Sequence, residues 1–111
     1  MSLWLTGFIL DIGGVDILEH HLISAPDLEY AELAATLMLR TWWPEGVVQQ
    51  KDYCWTFPQG TVRFNNIVLL SEHEANVLQG LRFLDTWMIS GSKTAHVLYD
   101  EYNNLWREVC R

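Results

Sequence analysis

The sequence predicts an α+β fold: a small single domain in which two β-hairpins form an antiparallel sheet and about three α-helices pack on it. Two kinds of apolar spacing support this prediction, because some stretches alternate at every second residue and others repeat at three- and four-residue steps. The chain has 111 residues, of which 50% are hydrophobic. This length and composition suit one compact domain, residues 1–111, which builds its core without metals or disulfides.

The first predicted hairpin surrounds Gly13-Gly14, which is a strong turn signal. Before this turn, Leu3 to Ile12 is rich in large apolar residues. After it, apolar and polar residues alternate along part of Val15 to Ile23. A short helix over Asp16 to Leu22 is the competing interpretation, because the apolar residues of that stretch also suit helical spacing.

A helix is predicted to follow the segment Ser24-Ala25-Pro26-Asp27, in which Ser24 can cap and proline is tolerated in the first turn. It should run to about Trp42, because the residue before Pro44 is pushed out of helical geometry. The second half of this helix is apolar almost all round. Such a helix is either central to a core or covered by another chain, so a homodimer through the helix Asp27 to Trp42 is one expectation.

The second predicted hairpin begins with the alternating residues Tyr53, Trp55 and Phe57. Pro58-Gln59-Gly60 then makes a tight turn, and Thr61 to Val68 resumes as the second strand. The preceding stretch, Val47 to Asp52, is predicted to be either a polar connection or an early strand.

Two amphipathic helices are predicted in the last third of the chain, joined by a short connection that favours an antiparallel pair. The first should start at Ser71, which forms a capping box with Glu74, and its apolar stripe extends to Met88. Gly91 is the candidate for the left-handed residue that ends it. The second helix should start at Ser92 or Thr94 and continue to Val109.

Charge and cysteine content restrict the function. The formal net charge is −7, which would be repelled by a nucleic acid backbone, so we predict no direct nucleic acid binding and a partner protein with a basic surface. Cys54 and Cys110 form no CxxC pair and are predicted to be reduced thiols, with a single disulfide as the alternative. The apolar stretch Leu3 to Leu10 is too short to span a bilayer, so we predict a cytoplasmic protein without a membrane anchor.

Motifs for catalysis and metal binding are weak throughout the chain. His20 and His21, beside Glu19, form the most metal-like group, but adjacent side chains on a strand point to opposite faces and cannot easily share one ion. Cys54 beside a histidine would suit nucleophilic catalysis, but no local signature supports that role. We therefore predict no catalytic, metal or cofactor residues and a protein that is not an enzyme.

The six tryptophans are the unusual feature of the composition. Trp and Tyr are enriched at the centres of protein interfaces, and Trp43, Tyr53 and Trp55 are the candidates for exposed aromatics. An acidic helix turn could flank such a patch. The predicted partner-binding residues are therefore Asp27, Glu29, Glu32, Trp42, Trp43, Tyr53 and Trp55.

The function predicted first is that of a small acidic protein that binds another protein and blocks it sterically. An antiactivator that sequesters a regulator, or a phage-type inhibitor, would have this profile. The first alternative is a small-molecule-binding or enzymatic domain with an aromatic pocket between the central hairpin and the helices. The second alternative is a structural homo-oligomer subunit.

Overall fold

The computed structural model describes residues 1–106, which form a seven-stranded mixed sheet and two α-helices. The order of the strands across the sheet is β3-β4-β5-β1-β2-β6-β7. In chain order the elements are β1 (Ser2–Ile12), β2 (Val15–Ala25), α1 (Leu28–Arg40), β3 (Gln49–Lys51), β4 (Cys54–Phe57), β5 (Gly60–Leu69), α2 (Glu72–Leu81), β6 (Thr86–Gly91) and β7 (His96–Asp100).

The first hairpin is confirmed, and the alternative of a helix over Asp16 to Leu22 is wrong. Strands β1 and β2 pair along their whole length, from Ile12 opposite Val15 to Ser2 opposite Ala25. Gly13 and Gly14 both have positive φ angles, 61° and 83°, as a two-residue turn of the primed type requires. This long hairpin forms the centre of the sheet.

Helix α1 is confirmed but is shorter than predicted. Asp27 caps it instead of Ser24, because the Asp27 carboxylate accepts the Tyr30 backbone N–H at 2.9 Å. The helix ends at Arg40, before both of the tryptophans that precede Pro44. It packs on one face of the sheet, which we call the inner face, and its buried residues are Ala31, Ala34, Ala35, Leu37, Met38 and Leu39. The apolar helix is therefore accounted for by its own sheet, and the homodimer through it stays a prediction.

The second hairpin is also confirmed. Strands β4 and β5 pair around the predicted turn, with Phe57 opposite Gly60. The segment before β4 contains an early strand, β3, which was one of the two predicted alternatives. Strand β5 joins the sheet through β1, with an irregularity in register between Gly7 and Phe8.

The prediction of two long C-terminal helices is wrong. The capping box of Ser71 and Glu74 is present, but α2 ends after Leu81 because Arg82 adopts a left-handed conformation with φ of 60°. The following residues form β6, which lies parallel to β2, and β7, which lies antiparallel to β6. The sheet is therefore mixed and not purely antiparallel. Val109, the predicted end of the second helix, lies outside the described residues.

The apolar residues of β6 fit both the spacing of a helix and the alternation of a strand, so helical spacing alone led to the wrong prediction. Trp87 and Ile89 point to the inner face and are buried, whereas Thr86 and Met88 point to the other face and are half-buried. The pairing with β2 decides between the two patterns, since it satisfies the backbone of a strand and buries Trp87. Within residues 1–106, no helix is both long enough and apolar enough to cross a membrane.

Gly91 has the left-handed φ predicted for it, 101°, but it ends a strand and not a helix. A Cβ atom at this position would collide with the Ala95 carbonyl oxygen. We expect Gly91→Ala to lower the free energy of unfolding by about 2 to 3 kcal/mol, as measured by urea titration. Gly46→Ala is the matched control, because Gly46 has φ of 85° and no atom within 4 Å of an added Cβ. The control should lose about 1 kcal/mol, and equal losses would contradict the role of the collision.

Candidate functional site

A charged cluster lies at the edge of the core, where β2 meets the start of β6. The His21 side chain is buried, and its Nδ1 lies 2.5 Å from Oδ1 of Asp85. On the other side of the ring, Nε2 lies 3.3 Å from Oε2 of Glu19. The Asp85 carboxylate also accepts the Trp87 indole N–H at 2.7 Å. One imidazole is thus held between two carboxylates, both of which are partly exposed to solvent.

Aromatic rings surround the imidazole of this cluster. The rings of Trp42 and Trp106 have their centroids 5.8 and 5.6 Å from the His21 centroid, and both meet it edge to face. Phe8 lies at 6.0 Å. Edge-to-face contacts of this kind suit the quadrupoles of the rings, and they exclude water from the histidine.

Burial and the neighbouring carboxylates have opposite effects on the pKa of His21. Burial alone would lower the pKa of His21, but the hydrogen bonds and charges of Asp85 and Glu19 outweigh burial and raise the pKa above its ordinary value of 6.5. Burial likewise would raise the pKa of Asp85, but the hydrogen bond and charge of His21 lower it below 3.8. Both directions favour an imidazolium–carboxylate pair inside an aromatic shell.

The two carboxylates of this cluster fix the orientation of the His21 ring. Both ring nitrogens of His21 face carboxylates, Nδ1 towards Asp85 and Nε2 towards Glu19. The neighbouring His20 points to the opposite face, where its ring lies over Gly7. Among residues 1–106, no three histidine, cysteine or carboxylate side chains are arranged to hold a metal ion. Cys54 is a free cysteine, and Cys110 lies outside the described residues.

Comparisons with other proteins add nothing to this geometry. No protein-family model, curated protein or solved structure matches the chain.

The prediction that Trp43 and Trp55 are exposed is wrong, and Trp42 is buried as well. Trp42 packs on Phe8 at 5.2 Å between ring centroids, and Trp43 packs on Phe57 at the same distance. Trp55 points to the inner face of β4. All three rings belong to the core, and their role in binding a partner stays a prediction. Proximity to Pro44 marked a helix end, but it carried no information about burial.

The remaining predicted partner residues are at the surface. Tyr53 lies between β3 and β4 and is 72% exposed. Glu29 and Glu32 line a shallow groove of about 400 Å³ on α1 with Leu28, Leu33 and Thr36, and Asp27 caps the same helix. Glu29 binds Lys93 at 2.7 Å, in an exposed ion pair that contributes little to stability. The three acidic residues are thus brought together, while Tyr53 is in another part of the molecule.

A partly uncovered apolar surface lies on the side of the sheet opposite α1, which we call the outer face. The pairing of the strands places the following residues on it: Leu3, Leu5, Ile9, Leu18, Val68, Met88, Val97 and Tyr99. Leu18, Val68 and Val97 are about half exposed, at 56%, 48% and 49%. A single sheet face normally buries its apolar residues under another layer, and large exposed apolar patches mark interaction sites.

Helix α2 flanks this outer face at one end. Leu22, which lies on the same face opposite Leu5, is fully buried, whereas the rest of the face is only partly covered. A shallow cleft of about 390 Å³ separates α2 from Leu3 and Ser24. None of the α2 residues is buried, and Val77 and Leu81 are 48% and 56% exposed. The sequence carried one signal for this surface: β1 is apolar at both parities, so both faces of the central strand had to be apolar.

Proposed function

We propose that this protein binds another protein through its outer face and blocks it by steric occlusion. The observation that supports the proposal is the uncovered apolar surface of the sheet, which in residues 1–106 has no helix packed across its centre. The partner has a complementary apolar patch bordered by lysine or arginine side chains.

The charge of the protein supports the choice of a basic partner. The net charge is −7, and Asp11 and Asp16 border the outer face at the hairpin end while Glu72 borders it at α2. Opposite potentials accelerate the encounter of two proteins, whereas desolvated apolar contacts hold the complex together. Salt should therefore slow association with the partner more than it accelerates dissociation.

The proposal predicts which of two matched substitutions weakens the complex. Val68 on the outer face and Leu28 on the acidic groove of α1 are 48% and 46% exposed. A lysine at either position changes the net charge equally, so the two variants weaken long-range steering by the same amount. We expect Val68→Lys to raise the Kd for the partner at least about tenfold and Leu28→Lys to raise it less than about threefold.

The measurement starts from a partner captured from an extract of the native host and then purified. Calorimetry or biolayer interferometry with wild-type, Val68→Lys and Leu28→Lys protein gives the three Kd values, and thermal unfolding shows that each variant is folded. A larger loss for Leu28→Lys would assign binding to the acidic groove and overturn the assignment to the outer face. Equal losses would show that only the net charge matters.

A further inference from the structure

An open cleft of about 570 Å³ lies over β3, β4 and β5, at the opposite end of the sheet from β6 and β7. Trp55 and Phe57 of β4 are buried on the inner face, so Cys54 and Thr56, which alternate with them, point to the outer face and line this cleft. Sites for small molecules typically have volumes of about 300 to 1,000 Å³. The cleft is therefore large enough to hold a small ligand.

Two cations flank Cys54 in this cleft. Lys51 of β3 lies directly opposite Cys54, and Arg63 of β5 lies directly opposite it on the other side. Directly opposed residues of antiparallel strands point to the same face, with their Cβ atoms about 5 Å apart. A row of ammonium, thiol and guanidinium groups thus crosses three neighbouring strands, and all three residues line the cleft.

Neither cation is held by a close carboxylate in the part of the chain that the structure describes. Lys51 makes no ion pair within residues 1–106, and Arg63 lies 3.8 Å from Asp16 without a side-chain hydrogen bond to any described residue. Asp52 also lines the cleft, so its lining holds two cations and one carboxylate. In a chain of net charge −7 this is a local excess of positive charge. Ammonium and guanidinium groups with free donors bind carboxylates and phosphates.

We propose that this cleft binds a small organic anion with a carboxylate or phosphate group, which Lys51 and Arg63 hold over the Cys54 thiol. Gln49 and Thr56 lie opposite each other in the next row and supply neutral hydrogen-bond donors beside the charge. Binding of this anion needs no partner protein and is measured on the isolated chain. The proposal goes beyond the proposed function, and the two fail independently.

The Cys54 thiol serves as a reporter of an anion in the cleft. In exchange with an aromatic disulfide, the Cys54 sulfur attacks one sulfur of the reagent, so that a new S–S bond forms and the old one breaks. The second sulfur leaves with the electron pair of the old bond, and the thiol proton passes to solvent. Dithiobis(nitrobenzoate) carries two carboxylates, whereas dithiodipyridine carries none. Any change in the thiol itself alters both rates, so the ratio of the two rates measures the attraction of the anion.

The test is a stopped-flow measurement of this ratio in the full chain with Cys110→Ser, which leaves Cys54 as its only thiol. Lys51→Met and Lys93→Met are matched, because they remove the same charge but Lys93 lies between β6 and β7 and pairs with Glu29. We expect the ratio of the anionic to the neutral rate to fall at least about fivefold in Lys51→Met and in Arg63→Met, and less than about 1.5-fold in Lys93→Met. Equal falls in Lys51→Met and Lys93→Met, or no fall in the two cleft variants, would overturn the inference.

Competition in the chain with unaltered cations checks the site without relying on the folding of those variants. The rate with dithiobis(nitrobenzoate) should level off with concentration, and benzoate or inorganic phosphate should slow it while leaving the rate with dithiodipyridine less affected. Slowing by benzoate alone assigns a carboxylate ligand, and slowing by phosphate alone assigns a phosphate ligand. A rate that stays linear up to about 5 mM reagent, with no slowing by either anion, would show that the cleft holds no anion.

Asp16→Asn tests the part assigned to Arg63 with the opposite sign. The substitution removes the carboxylate that faces the guanidinium and leaves Lys51 and Cys54 untouched. We expect the ratio of the anionic to the neutral rate to rise, because the Arg63 charge is then fully available to the reagent. A ratio that does not rise would contradict the contribution of Arg63 to the site.

Discussion

Trp87→Ala is expected to lower the free energy of unfolding by about 4 kcal/mol, as measured by urea titration at constant pH. Trp87 is 1% exposed and, with Trp106, is one of the two largest fully buried side chains. Its ring meets Trp106 edge to face at 5.0 Å, and its indole N–H bonds to Asp85. Truncation leaves a large cavity and removes a hydrogen-bond donor from a partly buried carboxylate.

Trp87→Phe separates these two effects, because it keeps an aromatic ring and removes the indole N–H. We expect a loss of about 2 kcal/mol for this variant, the cost of one hydrogen bond to a charged group plus a small volume change. If phenylalanine costs as much as alanine, the hydrogen bond to Asp85 and not the packing dominates. If it costs nothing, the bond contributes nothing.

Asp85→Asn is the second large effect, with an expected loss of about 2 kcal/mol near pH 6. The substitution keeps the size of the side chain but removes the charge that faces the His21 imidazolium. Because 41% of the Asp85 side chain is exposed, the expected loss stays below that of a fully buried ion pair. Asp16→Asn is the control, since the Asp16 carboxylate is 63% exposed and lies 3.8 Å from Arg63, and it should change stability by less than about 0.5 kcal/mol.

We expect the free energy of unfolding to depend on pH through the His21–Asp85 pair. The pKa of His21 is raised in the folded protein, so its contribution is fully present below 6.5 and is lost as the pH rises through the folded value. The pKa of Asp85 is lowered, so its contribution is present above 3.8 and is lost as the pH falls through the folded value. Wild-type stability should therefore be highest between these two limits.

Urea titrations from about pH 5 to about pH 8 test this dependence. We expect wild-type stability to fall above pH 6.5 and the fall to be smaller in Asp85→Asn, because the remaining carboxylate of Glu19 acts alone on His21. Asp16→Asn should keep the wild-type profile. An unchanged fall in Asp85→Asn would show that the His21–Asp85 contact does not control the titration.

Local signals predicted the elements whose structure is set by neighbouring residues. The glycine pair at Gly13-Gly14 specified a tight turn, and the reciprocal hydrogen bonds of Ser71 and Glu74 fixed the start of α2. Strand β6 could not be predicted in this way. Its partner β2 lies 64 residues earlier (86 − 22), and the apolar residues of β6 fit a helix as well as a strand.

The candidate site was less predictable than the fold. His21 and Asp85 are 64 residues apart and only the parallel pairing of β2 with β6 brings them together. Acidic exposed positions such as Glu32 followed from the helix pattern. The burial of Trp43 and Trp55 did not, because whether an aromatic ring is covered depends on what crosses it from distant parts of the chain.

The parallel pairing of β2 with β6 also has a consequence for synthesis on the ribosome. The long hairpin and α1 can form before β6 is synthesised, but Trp87 and Trp106 emerge later, so His21 and Trp42 lack their aromatic cover until then. Closing the loop between Leu22 and Thr86 then costs on the order of 4 kcal/mol of chain entropy. Until that loop closes, the nascent chain exposes the edge of β2 that β6 later pairs with and an incomplete aromatic core, which makes it a target for chaperones and for premature contact with neighbouring nascent chains.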